Sequence, residues 1–209
     1  MLEADQLACV RGDRPLFRRL NFSLAAGAAL HVAGANGSGK TSLLRLLCGL
    51  SAPAEGDVRW NGENIRSLRE EFYRDLVYIG HAPAVKDDLS PVENLMTSAT
   101  LSGGSVAAEE ARGALQRIGL AGREDLPTKV LSQGQRRRVA LARLLLSTRV
   151  PLWVLDEPFT ALDKRAVDSL RQTIEAHIQD GGMVIYTTHQ EVEFEATKAR
   201  RLDLDEVAT

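Results

Sequence analysis

Apolar and polar positions change their period several times along the chain, and each change predicts a different element. Residues 2 to 10 and 16 to 24 alternate or run apolar on either side of an RGDRP turn, and EGDVRWNGENI at 55 to 65 reads as a further strand ending at the turn dipeptide Asn61-Gly62. These segments predict a small antiparallel sheet. A short apolar run from Ala28 to Val32 enters a glycine-rich loop, after which TSLLRLLCGL carries leucines at helical spacing until Gly49 stops it. Between about Pro83 and Thr128 the strand signals vanish. There VENLMTSATL and AAEEARGALQRIGL predict helices separated by a flexible link, LSGGSV at 101 to 106. Two further strand-like runs, PLWVLD and GMVIYTTH, bracket a helix expected from roughly Lys164 to Gln179, the alternation of a parallel sheet. The expected fold class is therefore α/β, with a doubly wound core, a small antiparallel β subdomain and a helical subdomain. The expected division is one domain over 1–209, in which about 1–82 and 150–209 form the β subdomain and core and about 83–149 the helical part.

A chain of 209 residues can bury a sizeable core. Its net charge of −2 and pI near 6.1 give no global reason to bind nucleic acid, whose partners usually carry a basic domain or stripe. The longest apolar stretches are too short or too charged to cross a hydrocarbon layer of about 30 Å. The opening MLEADQLACVRGD lacks a basic segment followed by an apolar run, so no secretory signal is expected and the cytoplasm is the expected compartment. Cys9 and Cys48 are isolated and read as ordinary thiols, not as a metal site or disulfide.

The chemistry concentrates in a few motifs. Gly34 to Thr41 completes the pattern G-x-x-x-x-G-K-T between a strand and a helix, so that backbone N–H groups freed by Gly37 and Gly39 face phosphate oxygens at the positive end of the helix. Gly34, Asn36, Gly37, Ser38, Gly39, Lys40, Thr41 and Ser42 are the expected nucleotide-binding positions. Lys40 is expected to bridge the β- and γ-phosphates of ATP, and the Thr41 hydroxyl to hold Mg²⁺. A glycine-rich turn with a solvated lysine is the bland alternative. The run LWVLDE ends an apolar strand in two acids, which makes Asp156 the expected carboxylate on the metal side and Glu157 the candidate base that polarises water. Such a pair elsewhere would serve as a helix cap or a solvated turn. Asp163 in PFTALD reads as the N-cap of the next helix. His189 in YTTHQ follows what reads as the last core strand and is the candidate sensor of the γ-phosphate, although a lone histidine is otherwise structural or solvated.

Ser132 of LSQGQRRR, at 131 to 138, lies 92 positions after Lys40 (132 − 40), and the RRRVALARLLL that begins at Arg136 has helical periodicity. Ser132 and Gly134 are thus expected at a helix N-terminus, which attracts anions. Arg136 to Arg138 read as a solvated or dipole-related helical face beside the phosphate site in preference to a nucleic-acid patch.

Taken in order, these motifs resemble the nucleotide-binding domain of ATP-binding-cassette ATPases across essentially the whole chain. The resemblance implies a P-loop NTPase with a RecA-like core, ATP hydrolysis with Mg²⁺, and a homodimer that sandwiches ATP. In such a dimer Ser132, Gln133, Gly134 and Gln135 of one copy close over the phosphate held by the other, and Asp163 lies on the seam. The opening segment, VYIGHAPAVKDDLSPVENL, LSQGQRRRVALARLLL and LWVLDEPFTALD further resemble the subfamily serving cytochrome c biogenesis as haem-exporter ATPases. That implies the membrane partners CcmB, CcmC and CcmD, the haem chaperone CcmE as a functional partner, and a peripheral place on the cytoplasmic face of the bacterial inner membrane, reached only through partners. An ATPase for lipid or drug transport is the nearest alternative, and a soluble cassette acting on ribosomes or DNA a more distant one.

Three positions depart from the general cassette pattern. His81 stands where a glutamine usually senses Mg²⁺, although oxygen is the better ligand for that ion. Arg11 stands where an aromatic usually stacks on adenine, with Phe17 as the alternative whose apolar neighbours suggest core. Gln133 replaces a signature glycine. The segment Ala84 to Asn94 is expected either to line a groove for a membrane subunit or to be an exposed loop. With the chain ending at residue 209, regulation is expected through partners rather than through a separate domain.

Overall fold

The structure is a computed structural model that describes residues 1–190, 192, 194 and 199–207. Strands β1 (Leu2–Arg11) and β2 (Arg14–Leu24) form an antiparallel hairpin pairing Leu2 with Leu24 and Arg11 with Arg14. Strand β3 (Ala29–Ala33) runs into the glycine-rich loop and helix α1 (Lys40–Leu47). Strands β4 (Glu55–Trp60) and β5 (Glu63–Asn64) then extend the antiparallel sheet, in the order β2-β1-β4-β5. Helix α2 (Arg69–Arg74) leads to β6 (Leu76–Ile79), and the chain departs into α3 (Pro91–Leu101), α4 (Ala108–Arg117) and α5 (Gln133–Leu146). It returns through β7 (Leu152–Leu155), α6 (Lys164–Gln179) and β8 (Met183–Tyr186), and closes with β9 (Ala199–Asp203) and α7 (Leu204–Val207).

The second sheet is parallel, in the order β6-β7-β8-β3-β9. Strands β7 and β8 are buried at every position, which explains their uniformly apolar sequences. In an open parallel sheet ligands collect beyond the carboxyl ends of the strands. The loops after β3, β6, β7 and β8 all leave that edge.

Three apolar clusters hold the molecule. One fills the space between the antiparallel sheet, α1 and a face of the parallel sheet, with Leu7, Phe17, Leu43, Leu47 and Val154 among its members. A second packs α6 on the opposite face through Trp153, Phe159, Leu170 and Ile174. The third lies within α3, α4 and α5, around Leu95, Leu115 and Val139. Helix α3 starts at a capping box in which Ser90 accepts from the Glu93 N–H and Glu93 accepts from the Ser90 N–H. Asn94 is buried, accepting from the Lys86 N–H at 2.7 Å and donating to Thr128 Oγ1 at 2.9 Å. The 84–94 segment is therefore tied at its end, while Ala84, Lys86, Asp87 and Asp88 are exposed.

Hydrophobic patterning does not mark α2, β6 or β9. The first is short and polar, β6 is a short edge strand with only half its positions buried, and β9 reads ARRLD with an exposed first half. One expectation changes as a result: β8 is not the last core strand, because β9 follows it and pairs with β3.

Candidate nucleotide-binding site

Gly34, Gly37 and Gly39 all adopt left-handed backbone, with φ of 138°, 84° and 107°. A Cβ on Gly34 would stand 2.6 Å from Ser38 Oγ, and one on Gly39 would stand 3.2 Å from Leu16. The loop therefore needs glycine for conformation and for space. Helix α1 begins at Lys40, whose ammonium donates to the carbonyls of Gly34 at 2.7 Å and Ala35 at 3.0 Å and carries a third N–H. From the far end of the chain, Asp205 accepts from the Ala35 N–H at 2.7 Å and braces the same loop.

The carboxylates stand beside it. Asp156 is 2% exposed and accepts from the Thr41 hydroxyl at 2.9 Å and from the Thr187 hydroxyl at 2.8 Å. Thr187 Oγ1 in turn accepts from the Glu157 N–H at 2.9 Å, so one threonine couples the two acids. Glu157 has φ of 50°, a left-handed conformation that a non-glycine residue adopts only when its surroundings enforce it. Its Oε2 accepts from the His189 N–H at 3.3 Å. Its Oε1 is buried without a hydrogen bond, with His189 Nε2 3.5 Å away.

A cleft of about 710 Å³ opens over these groups, lined by Asn36, Gly37, Gly39 and Lys40 to Ser42, by Asp156 and Glu157, and by His189. Arg11 and His81 line it too. Gly34 and Ser38 do not line it. Phe17 is 1% exposed and packs in the core, which leaves Arg11 as the member of that pair facing the cleft. Arg14, Thr160, Ala161 and Gln190 also line it and escaped the sequence reading. Arg14 could have been found, because the hairpin register pairs it with Arg11. The donor set suits a hard cation: Thr41 and Asp156 present two oxygens in contact, and no group of three or more His, Cys, Asp or Glu among the described residues forms a cage.

The signature residues do not line this cleft. Ser132 caps α5, accepting from the Gln135 N–H at 3.3 Å, while Gln135 Oε1 accepts from the Ser132 N–H at 2.9 Å. Both side chains are engaged in a capping box at a helix N-terminus. Gly134 lies against the chain's own 158–163 loop, where a Cβ would stand 2.7 Å from the Ala161 carbonyl oxygen. Gln133 is exposed and borders a separate hollow with Ala82 to Val85, Leu131 and Arg136. Asp163 caps α6 through the Ala166 N–H at 2.9 Å and pairs with Arg138.

The three arginines are not a solvated face, which corrects the sequence reading. Arg136 pairs with Asp87 at 2.9 Å. Arg137 is 4% exposed and reaches inward to four backbone carbonyls: Gly80 at 2.6 Å, His81 at 3.3 Å, Asp156 at 2.8 Å and Glu157 at 2.9 Å. Burial pushes its guanidinium down from the ordinary value, opposed by the charges of Asp156 and Glu157. Successive helical residues point about 100° apart, so three adjacent arginines cannot share one environment.

The ABC transporter family matches residues 17–160. The chain belongs to the ABC transporter family. A protein of Nitrosospira multiformis named cytochrome c biogenesis ATP-binding export protein CcmA is 54% identical to this cassette over 203 residues, covering 97% of this chain and 98% of that one. A protein of the same name from Aromatoleum aromaticum is 56% identical over 208 residues, covering 100% and 97%. A solved structure from Pyrococcus furiosus, described as an ABC transporter ATP-binding protein, superimposes with a TM-score of 0.84 at 26% identity and covers 100% of this chain and 99% of that one. A dimeric ATP-binding cassette bound to ADP and Pi superimposes with a TM-score of 0.79 over 91% of this chain and 88% of that one; at 22% identity it speaks for the fold alone. The cassette is an ATPase with the α/β fold of P-loop NTPases. Among its described residues no helix is long and apolar enough to cross a membrane.

Proposed function

We propose that this cassette is the ATP-hydrolysing subunit of a membrane complex serving cytochrome c maturation, in haem export or in release of the haem-loaded chaperone CcmE. The observation that carries the reading is identity above one half, over nearly the full length of both chains, with proteins named for that process. Its partners are CcmB, CcmC and CcmD, and its place is the cytoplasmic face of the inner membrane, held there by those partners.

The residues divide the work of hydrolysis. Lys40 and the N–H groups of residues 36 to 42 hold the phosphates, since a helix N-terminus and an ammonium both favour anionic oxygen. Thr41 and Asp156 would hold Mg²⁺ between protein and phosphate oxygens, and the ion would neutralise charge that develops during transfer. Glu157 carries one buried carboxylate oxygen free of hydrogen bonds, in place to accept one from water and to align it. His189, against Glu157 at the mouth of the cleft, donates to the γ-phosphate. The cleft is open, with Ser132 and Gly134 of the same chain outside its lining, which supports a second copy closing it with those residues. Arg11 lines the cleft, where its planar guanidinium would stack on the adenine base. His81 also lines the cleft and would act on Mg²⁺ through water, imidazole being a poor direct ligand for that ion.

Affinity purification of the tagged cassette from detergent-solubilised membranes tests the partnership. CcmB and CcmC are the expected co-purifying proteins. Recovery of an unrelated lipid or drug permease, with no cytochrome c maturation protein, would refute the assignment.

A further inference from the structure

Arg137 occupies the junction of three parts that the proposed cycle must coordinate. It projects from the first turns of α5, the helix whose N-terminus carries Ser132 and Gly134. Its guanidinium ends beneath the loop after β6, on the carbonyls of Gly80 and His81, and beneath the loop after β7, on those of Asp156 and Glu157. No other described side chain hydrogen-bonds to all of these loops. A planar guanidinium offers five N–H groups in a fixed fork, so it spans four carbonyls at once, and an ammonium cannot reproduce that geometry. The contact with Glu157 matters most, because that residue holds a left-handed backbone conformation that its surroundings must enforce.

We infer that Arg137 is a positioning residue, which sets the backbone that carries Glu157 and His81 and links it rigidly to the signature end of α5. Movement of Ser132 and Gly134 against a second copy's nucleotide is thereby transmitted to the hydrolytic acid of the same chain. This rests on the proposed role of Glu157 and on closure by a second copy. The guanidinium's hydrogen bonds go to the carbonyls of Gly80, His81, Asp156 and Glu157 and not to the phosphate loop, so binding and hydrolysis separate in the expected phenotype.

The test is a double-mutant cycle on the purified full chain, combining Arg137→Lys with Glu157→Gln. Arg137→Lys alone is expected to melt cooperatively, to bind MgATP within about twofold of the parent, and to lose at least about tenfold in kcat, the scale of effect that small misplacement of a reacting group produces. In the Glu157→Gln background the same substitution is expected to cost less than about twofold, because Arg137 acts through Glu157. Near-parental kcat in Arg137→Lys overturns the inference, as do losses that multiply in the double variant. If Arg137→Lys does not fold, Arg137→Gln, which keeps a planar amide donor, takes its place; failure of both to fold makes the residue structural and also overturns the inference. Glu157→Gln alone reports on the underlying reading: full turnover there would refute the role of Glu157 itself, and is distinguishable from any result at Arg137.

Discussion

Glu157 shows how much structure one side chain can require. Its N–H is held by Thr187, its carbonyl by Arg137 and one carboxylate oxygen by the His189 N–H, while the other oxygen is buried and unbonded. A buried polar atom without a partner is costly, and such costs persist where a reaction uses them. Neighbouring Asp156 differs: both its oxygens accept hydroxyl hydrogen bonds, which suits the proposed role of a fixed carboxylate for Mg²⁺. Glu157→Gln is therefore expected to leave MgATP affinity near the parental value and to lower kcat by at least about 100-fold, within the range for removing a general base. Steady-state phosphate release together with equilibrium nucleotide binding checks both halves. Loss of binding would instead place Glu157 among the phosphate-holding groups.

At the scale of elements, the same helix end can be read in two ways, and the structure contains both kinds of use. Ser90 and Ser132 both start helices through capping boxes, but only Ser132 heads a helix whose interior arginine touches the loop carrying Asp156 and Glu157. Helix α6 carries a different constraint at its end. His177 is buried there, stacked on Trp153 with ring centroids 3.7 Å apart, and Gly182 leaves room for it, since a Cβ would fall 2.2 Å from its Nε2. A protonated histidine would favour the helix C-terminus by about 0.3–1 kcal/mol, yet burial outweighs this and pushes its pKa below the ordinary value. The sign follows from linkage. Above about pH 6.5 the histidine is neutral folded or unfolded, whereas below it the unfolded chain takes up a proton that the folded chain resists, so stability is lost as pH falls. His31 is displaced downward by burial as well and acts in the same direction. Thermal unfolding between pH 7.5 and 5.5 should show a falling midpoint, with a shallower fall in His177→Gln; equal slopes in the two proteins would assign the acid sensitivity elsewhere.

For the whole molecule, legibility in the sequence followed locality. The phosphate loop, the LWVLDE strand and the helix from Lys164 to Gln179 are each written in consecutive residues, and the strands and helices that bear them stand where periodicity puts them. Strands β6 and β9 escaped for different reasons at the two edges of the parallel sheet: β6 is apolar but only four residues long and half-buried, whereas β9 is mostly polar and is made a strand by its pairing with β3. Arg137 escaped because three arginines in a row read as one face, although its spacing of four and seven from buried Leu141 and Leu144 places it on the inner side of α5. Arg14 reaches the cleft only through the hairpin register. The assembled picture is a cassette whose loops after β3, β7 and β8 converge on one cleft while Ser132 to Gln135 stand outside its lining, consistent with the proposed closure by a second copy. The central claim is that ATP hydrolysis in this cleft serves cytochrome c maturation. It is tested most directly by covalent haem in c-type cytochromes of a strain lacking the gene, complemented with the parental chain or with Glu157→Gln. Loss of covalent haem that only the parental chain restores is the expected result; normal covalent haem in the deletion strain would contradict the account.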